Sequence, residues 1–266
     1  TKIGAELLSP LPNLKLISQR SVYPHIDVQA CSAHNVLLCS NMHSGTPSYA
    51  AAEHTLALIL ASYRQIPQQT ASIKAGKWQS GVGRTLRGRT LGLYGYGRIA
   101  GAVAEYARAL GMNVQWWSSE QGRARALAAG ETVASSREAF FATSDVVSVH
   151  VRLKPGTHGL ITADDLAAMQ PRGLFVNTSR SGLVAAGALE AEIAQGRIHA
   201  AVDVFDSEPL TDTAHLLLTH PNVLATPHIG FVTEDEFELQ FSDIFDQVNA
   251  YADGAPIHMI NPEVYA

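Results

Sequence analysis

The residues best suited to chemistry lie in three short polar segments: Val176-Asn177-Thr178-Ser179-Arg180, the run from Asp203 to Leu210, and Thr226-Pro227-His228-Ile229-Gly230. Each follows an apolar run of strand length, which puts all three on the carboxyl edge of a parallel sheet, where open α/β folds bind their ligands. Arg180, Glu208 and His228 stand out within them. A guanidinium offers a planar fork to a carboxylate and polarises a neighbouring carbonyl. An imidazole takes up or returns a proton near neutral pH. A carboxylate beside that ring fixes its tautomer and favours the imidazolium. The three together suit hydride transfer at a hydroxy acid or its oxo form. Singly, each has an ordinary reading: the chain has 11 histidines, Glu208 before Pro209 fits a turn, and Arg180 fits a phosphate contact. Their joint placement after successive strands is what points to a site.

A second group lies upstream. Gly95-Tyr96-Gly97-Arg98-Ile99-Ala100 follows an apolar run and opens an amphipathic stretch. In a dinucleotide-binding turn the first glycine makes the turn, the second lets a pyrophosphate approach the main chain, and a small third residue lets helix and strand pack. Gly95, Gly97 and Ala100 fill these places, with Arg98 and Ile99 in the first turn of the helix. A glycine pattern alone is weak, but this one sits between a strand and a helix, as the fingerprint requires. About 20 residues on, enzymes that use NAD place a carboxylate for the ribose hydroxyls. This chain has Ser118 and Ser119 there, followed by Glu120, Arg123 and Arg125. Serine and arginine suit the 2′-phosphate of NADP, whereas Glu120 would repel it. The expected cofactor is NAD, with NADP the alternative.

The elements that must position these residues alternate in the manner of a doubly wound parallel sheet. Strands are expected at Thr90–Gly95, Asn113–Trp117, Asp145–Val151, Gly173–Asn177, His199–Val204 and Asn222–Ala225. Helices are expected at Ile99–Leu110, Gly122–Ala129, Arg137–Ala142, Ala163–Met169 and Ala185–Gln195. Gly111 and Gly196 read as C-caps, Thr162 and Ser135 as N-caps, and Pro171 as a stop. Toward the ends, Leu14–Ser18 and Val36–Ser40 read as strands around a short helix at Ile26–Ala33. Long helices are expected from about Ser48 to Arg64 and from about Thr233 to Asp253. The expected organisation is a partial substrate lobe over residues 1–46, a dinucleotide-binding Rossmann-type domain over 47–230, and a return helix with the rest of the smaller lobe over 231–266.

Bulk properties narrow the partners. The net charge of −5 argues against nucleic acid or an anionic membrane surface. Apolar residues make up 46% of the 266, enough for a core, yet none of the runs reaches the ~20 residues of a membrane span. Only 16% of residues are charged, against roughly 25% in an average domain, which favours an oligomer interface. Cys31 and Cys39 make no disulfide framework and read as reduced thiols in a cytoplasmic protein. No metal site is expected.

The motifs Leu86 to Ile99, Val176 to Arg180, Asp203 to Leu210 and Pro227 to Gly230 together resemble the D-isomer-specific 2-hydroxyacid dehydrogenases, the family of phosphoglycerate dehydrogenase, hydroxypyruvate reductase and D-lactate dehydrogenase. The resemblance runs from about Leu14 to Asn261. It implies a flavodoxin-like smaller lobe, Arg180 as the substrate-binding cation and Glu208 paired with His228 as acid/base. It also implies Asp203 at the nicotinamide carboxamide, with Thr178 and Gly230 near the cofactor. A homodimer through the helix beginning near Ser48 and the Trp78 segment is implied as well. The expected substrate is a small 2-hydroxy or 2-oxo acid, 3-phosphoglycerate or hydroxypyruvate among them. The rival is a catalytically weak NAD(H)-sensing protein of the corepressor type built on the same fold. The chain departs from the family where a glycine-containing loop would hold the substrate carboxylate. That loop here runs from Arg20 through Ser21, Val22 and Tyr23 without glycine, so Arg20 and Tyr23 are expected to narrow or recharge the pocket. Family members also carry a further strand and helix before the position of Thr1, from which a truncated amino end is expected.

Overall fold

The computed structural model describes residues 2–42 and 49–265. Its residues cluster into two compact units, one formed by 1–46 with 232–266 and the other by 47–231. Both Ser48, where a long helix was expected to begin, and the 46/47 boundary lie outside the described residues.

In the smaller unit, β1 (Leu16–Arg20) pairs in parallel with β2 (Leu37–Asn41). Between them runs helix Val28–Ala33, whose first turn is capped by Asp27 accepting from the Ala30 amide at 3.0 Å. Leu8, Ile26, Cys31, Val36 and Leu38 form the core of this unit. The first strand was expected two residues earlier, on its apolar run. It extends instead through Ser18, Gln19 and Arg20 because helix Glu234–Ala252 satisfies their polar groups. Ser18 donates to Ile244 O at 2.9 Å, Gln247 donates to Gln19 O at 3.1 Å, and Arg20 pairs with Asp243 at 2.7 Å.

The larger unit is built on six parallel strands: β3 (Thr90–Tyr94), β4 (Asn113–Trp117), β5 (Val146–Val149), β6 (Leu174–Asn177), β7 (His199–Val202) and β8 (Val223–Ala225). Their order is β4-β3-β5-β6-β7-β8, so the winding reverses beside β3. Outside β4, Val133 makes a one-residue parallel bridge to Trp116. Counting that bridge, the order is the Rossmann 3-2-1-4-5-6 with its third strand reduced to a single contact.

Side chains alternate across this sheet with period two. Leu91, Leu93, Val146, Leu174, Val176 and Ala201 face helices Tyr49–Arg64 and Arg98–Ala109. Tyr94, Val147, Val149, Phe175, Ala200 and Val202 face helices Arg137–Thr143, Ala163–Ala168 and Ala188–Ala194. With both faces covered, the strands read as continuous apolar runs in the sequence. Caps are local. Ser136, rather than Ser135, accepts from the Ala139 amide, and Thr162 forms a reciprocal capping box with Asp165. The helix expected from Ala185 begins at Ala188, because Gly187 takes a left-handed turn with φ +72°. A further helix, Ile66–Lys74, follows a left-handed Gln65. Among the described residues, no helix is long and apolar enough to cross a membrane.

Candidate active site

The glycine turn lies where β3 feeds helix Arg98–Ala109. Gly95 has φ +114°, and a Cβ on it would stand 2.3 Å from the His150 carbonyl oxygen, so only glycine fits between β3 and the end of β5. Gly97 differs: a Cβ there would meet no protein atom within 4 Å. Its smallness is therefore not required by the fold, and is what close approach of a phosphate to the main chain would need. No side chain caps this helix, so its first amides are available to an anion. Ala100 is fully buried against the sheet, the small third residue the packing calls for, and Ile99 packs beside it. These features fit the pyrophosphate of a nicotinamide dinucleotide.

At the end of β4, Ser118 and Ser119 stand at the start of helix Glu120–Ala128. The Ser119 hydroxyl accepts from the Gly122 amide at 3.3 Å. A Cβ on Gly122 would lie 2.2 Å from Ser118 Oγ, so a glycine there lets the serine seat against the helix. Arg123 donates to Ser118 O at 2.6 Å and stacks 4.4 Å above Trp117, while Arg125 donates to Tyr96 O at 3.2 Å.

Arg180, Glu208 and His228 leave the carboxyl ends of the neighbouring strands β6, β7 and β8. Arg180 is exposed, and its loop is held by Asn177, which donates from Nδ2 to Arg180 O at 2.9 Å and accepts from the Ser179 amide at 3.0 Å. Among the described residues Arg180 has no ion-pair partner. His228 Nδ1 lies 2.6 Å from Glu208 Oε2. A carboxylate only accepts, so Nδ1 carries the proton and Nε2 is the ring nitrogen presented for exchange. The other Glu208 oxygen accepts from the Phe205 amide at 2.9 Å, which ties the carboxylate to the strand end. Phe231 packs edge-on to the imidazole at 5.6 Å.

His228 itself has φ +56°, unusual for a non-glycine residue, and the geometry is imposed by Asp203. This carboxylate is 0% exposed. It accepts from Thr226 Oγ1 at 2.6 Å, the Ile229 amide at 2.9 Å and the Gly230 amide at 2.8 Å. His54 Nε2 lies 3.3 Å from it and 3.1 Å from Thr226 Oγ1. Burial alone would raise the Asp203 carboxyl, but these bonds together outweigh it and hold it below the usual carboxylate range. In the structure Asp203 thus anchors the loop that carries His228. Gly230 is buried against it, with space for a Cβ only 3.1 Å from Asp203 Oδ2.

Helix Tyr49–Arg64 braces both loops. Besides His54, its buried Thr55 bonds Thr178, Oγ1 to Oγ1, at 2.8 Å. Neither His54 nor Thr55 was singled out from the sequence. The available signal was a polar Thr55 within the buried stripe Ala52, Thr55, Ile59, Tyr63.

The loop Ser21–Tyr23 belongs to the other unit. Ser21 adopts φ +72°, the left-handed conformation a glycine would take, and its carbonyl accepts from Ser40 Oγ at 2.7 Å. Val22 is exposed and Tyr23 half-buried. Arg20, expected to recharge the pocket, is instead engaged by Asp243 and Glu236 of helix Glu234–Ala252.

Against known proteins, residues 56–230 match the family model described as the NAD-binding domain of the D-isomer-specific 2-hydroxyacid dehydrogenases. The chain is 37% identical over 256 residues to the D-3-phosphoglycerate dehydrogenase of Mycobacterium tuberculosis, covering 93% of this chain and 47% of that one. It is 35% identical over 240 residues to the hydroxypyruvate reductase of Thermotoga maritima, covering 88% of this chain and 76% of the relative. The crystal structure of a phosphoglycerate oxidoreductase from Vibrio cholerae superposes with a TM-score of 0.90 at 42% identity, over 96% of this chain and 82% of that one. The chain spans about half the length of the first curated relatives it matches, at 47%. The chain belongs to the D-isomer-specific 2-hydroxyacid dehydrogenases.

Proposed function

We propose that this chain interconverts a small D-2-hydroxy acid and its 2-oxo form using a nicotinamide dinucleotide. The nicotinamide, when bound, supplies or accepts the hydride. Arg180 pairs with the substrate carboxylate and polarises the 2-oxo group. His228 delivers a proton from Nε2 to the carbonyl oxygen in reduction and removes it in oxidation. Glu208 holds Nδ1 and so keeps Nε2 aimed at that oxygen. Ser21, Val22 and Tyr23 present the substrate loop, with Gly95, Gly97, Arg98, Ile99, Ser118, Ser119, Thr178, Asp203 and Gly230 serving the cofactor. The observation that carries the reading is the 2.6 Å His228–Glu208 pair on the sheet edge that also bears the glycine turn and Arg180, which has no ion-pair partner among the described residues.

Among substrates, 3-phosphoglycerate and hydroxypyruvate are favoured by the likeness to a phosphoglycerate dehydrogenase and a hydroxypyruvate reductase. A cytoplasmic location is supported by two buried free thiols, Cys31 and Cys39, and a homodimer by the exposed Trp78 and Val82. The test is a panel of 2-oxo acids, hydroxypyruvate and its 3-phosphate included, followed by reduced-cofactor absorbance. Turnover of at least one supports the reading. Tight cofactor binding without turnover of any would favour the dinucleotide-sensing alternative.

A further inference from the structure

We infer that His54 is a positioning residue for the proposed reaction: from helix Tyr49–Arg64 it holds the loop that carries His228, and with Thr55 it registers that loop against Thr178 at the end of β6. The inference rests on the assignment of His228 as acid/base and adds the element that keeps this group aligned with the cofactor loop.

The proton positions follow from the acceptors. Asp203 is held below the usual carboxylate range, so it is ionised and only accepts. Thr226 Oγ1, 2.6 Å from Asp203 Oδ1, therefore gives its hydrogen to that oxygen. What it turns toward His54 Nε2, at 3.1 Å, is a lone pair. Asp203 Oδ1 lies 3.3 Å from the same nitrogen. Facing two acceptors, Nε2 carries a hydrogen whatever the charge of the ring, and His54 is a donor clamped across the Thr226–Asp203 bond. Its side chain is 16% exposed, and the ring lies against the His228 loop: a Cβ on Gly230 would stand 3.5 Å from His54 Cδ2.

Removing this donor leaves Asp203 its bonds to Thr226, Ile229 and Gly230, so the loop keeps its anchor. What is lost is the tie between that anchor and the helix. Adjacent helical residues point about 100° apart, which lets His54 and Thr55 serve different loops. Thr55 is fully buried and bonds Thr178 at 2.8 Å, two residues before Arg180. One helix thus fixes the loops after β6 and β8 against each other. A shift of ~1 Å between reacting groups costs about a hundredfold in rate, so this tie bears on turnover more than on stability.

The experiment compares the parent with His54→Leu, which removes the donor, and His54→Gln, whose amide nitrogen restores one at a similar reach. Turnover of the best 2-oxo acid, cofactor binding by fluorescence titration and thermal unfolding are measured for each. We expect His54→Leu to lose about thirtyfold or more in kcat, with KM and the cofactor dissociation constant within about threefold and the melting temperature within about 5 °C. His54→Gln should recover kcat to within about fivefold of the parent. His54→Leu combined with Thr55→Val should cost no more than about threefold beyond the more damaging single change, because either break releases the same register. A kcat within about threefold of the parent in His54→Leu, no recovery in a folded His54→Gln, or effects that multiply in the double variant would overturn the inference and leave the proposed reaction standing. An unsubstituted protein that binds cofactor yet turns over none of the 2-oxo acids would instead overturn the reading on which it rests.

Discussion

Replacing Asp203 with asparagine tests whether this buried carboxylate fixes the loop carrying His228. The Ile229 amide donates to Oδ1 at 2.9 Å and the Gly230 amide to Oδ2 at 2.8 Å. An asparagine has one acceptor oxygen in place of two. Whichever way its amide is turned, one of the two backbone N–H groups then faces an NH2. A buried donor left without a partner costs about 1–3 kcal/mol, and the bonds that survive lose their charge assistance, which about halves them. The sum is about 3 kcal/mol, and for a unit of this size that lowers the melting temperature by roughly 6–12 °C. Turnover should suffer further, since a shift of ~1 Å in a catalytic group costs about a hundredfold in rate. The assays are thermal unfolding by circular dichroism and steady-state oxidation of reduced cofactor with the best 2-oxo acid. A melting temperature within about 2 °C of the parent, together with a kcat within about threefold, would refute the positioning role.

Two glycine substitutions separate fold from cofactor. Gly95→Ala puts a methyl against the His150 carbonyl at a positive φ and should destabilise by about 3 kcal/mol or more, measured by urea unfolding. Gly97→Ala meets no protein atom within 4 Å, so stability should stay within about 0.5 kcal/mol while cofactor affinity falls at least about tenfold by fluorescence titration. The half-buried His150 provides a pH test. Burial lowers its pKa to about 4, whereas an unfolded histidine titrates near ~6.5. Between these values the unfolded chain takes up a proton that the folded chain does not, so stability falls as pH drops through that window, by up to about 3 kcal/mol. His150→Gln should remove this part of the loss between pH 7 and 4.5, and an unchanged pH dependence would contradict it. The depressed Asp203 and Asp165 carboxyls act lower, their stabilisation being lost only as pH falls through their folded values.

The sheet of the larger unit was legible because burial on both faces leaves uninterrupted apolar runs such as Val146–Val149, bounded by capping residues and glycines. Elements without that signature were not. The Val133 bridge is one residue long, and helix Ile66–Lys74 has a polar sequence and begins after a left-handed Gln65. The strand at Leu16–Arg20 was displaced in the reading because its polar half is stabilised by partners more than 200 residues away, at Asp243, Ile244 and Gln247. The residues of the candidate site that leave successive strand ends could be read from order alone: Arg180, Glu208, His228 and the glycine turn. What holds them could not. Asp203, His54 and Thr226 form one network only after helix Tyr49–Arg64 packs on the sheet, and nothing in the spacing of these three residues announces it. Arg20 shows the converse, since a cation that looked available is consumed by two carboxylates on a distant helix.

The most direct test of the central claim compares the parent protein with His228→Asn in the same two measurements: turnover of the best 2-oxo acid and equilibrium binding of the reduced cofactor. The acid/base assignment predicts that turnover falls by about a hundredfold or more, in line with removing a positioned general acid, while the dissociation constant for the cofactor changes by less than about threefold. Turnover that survives the substitution would contradict the assignment.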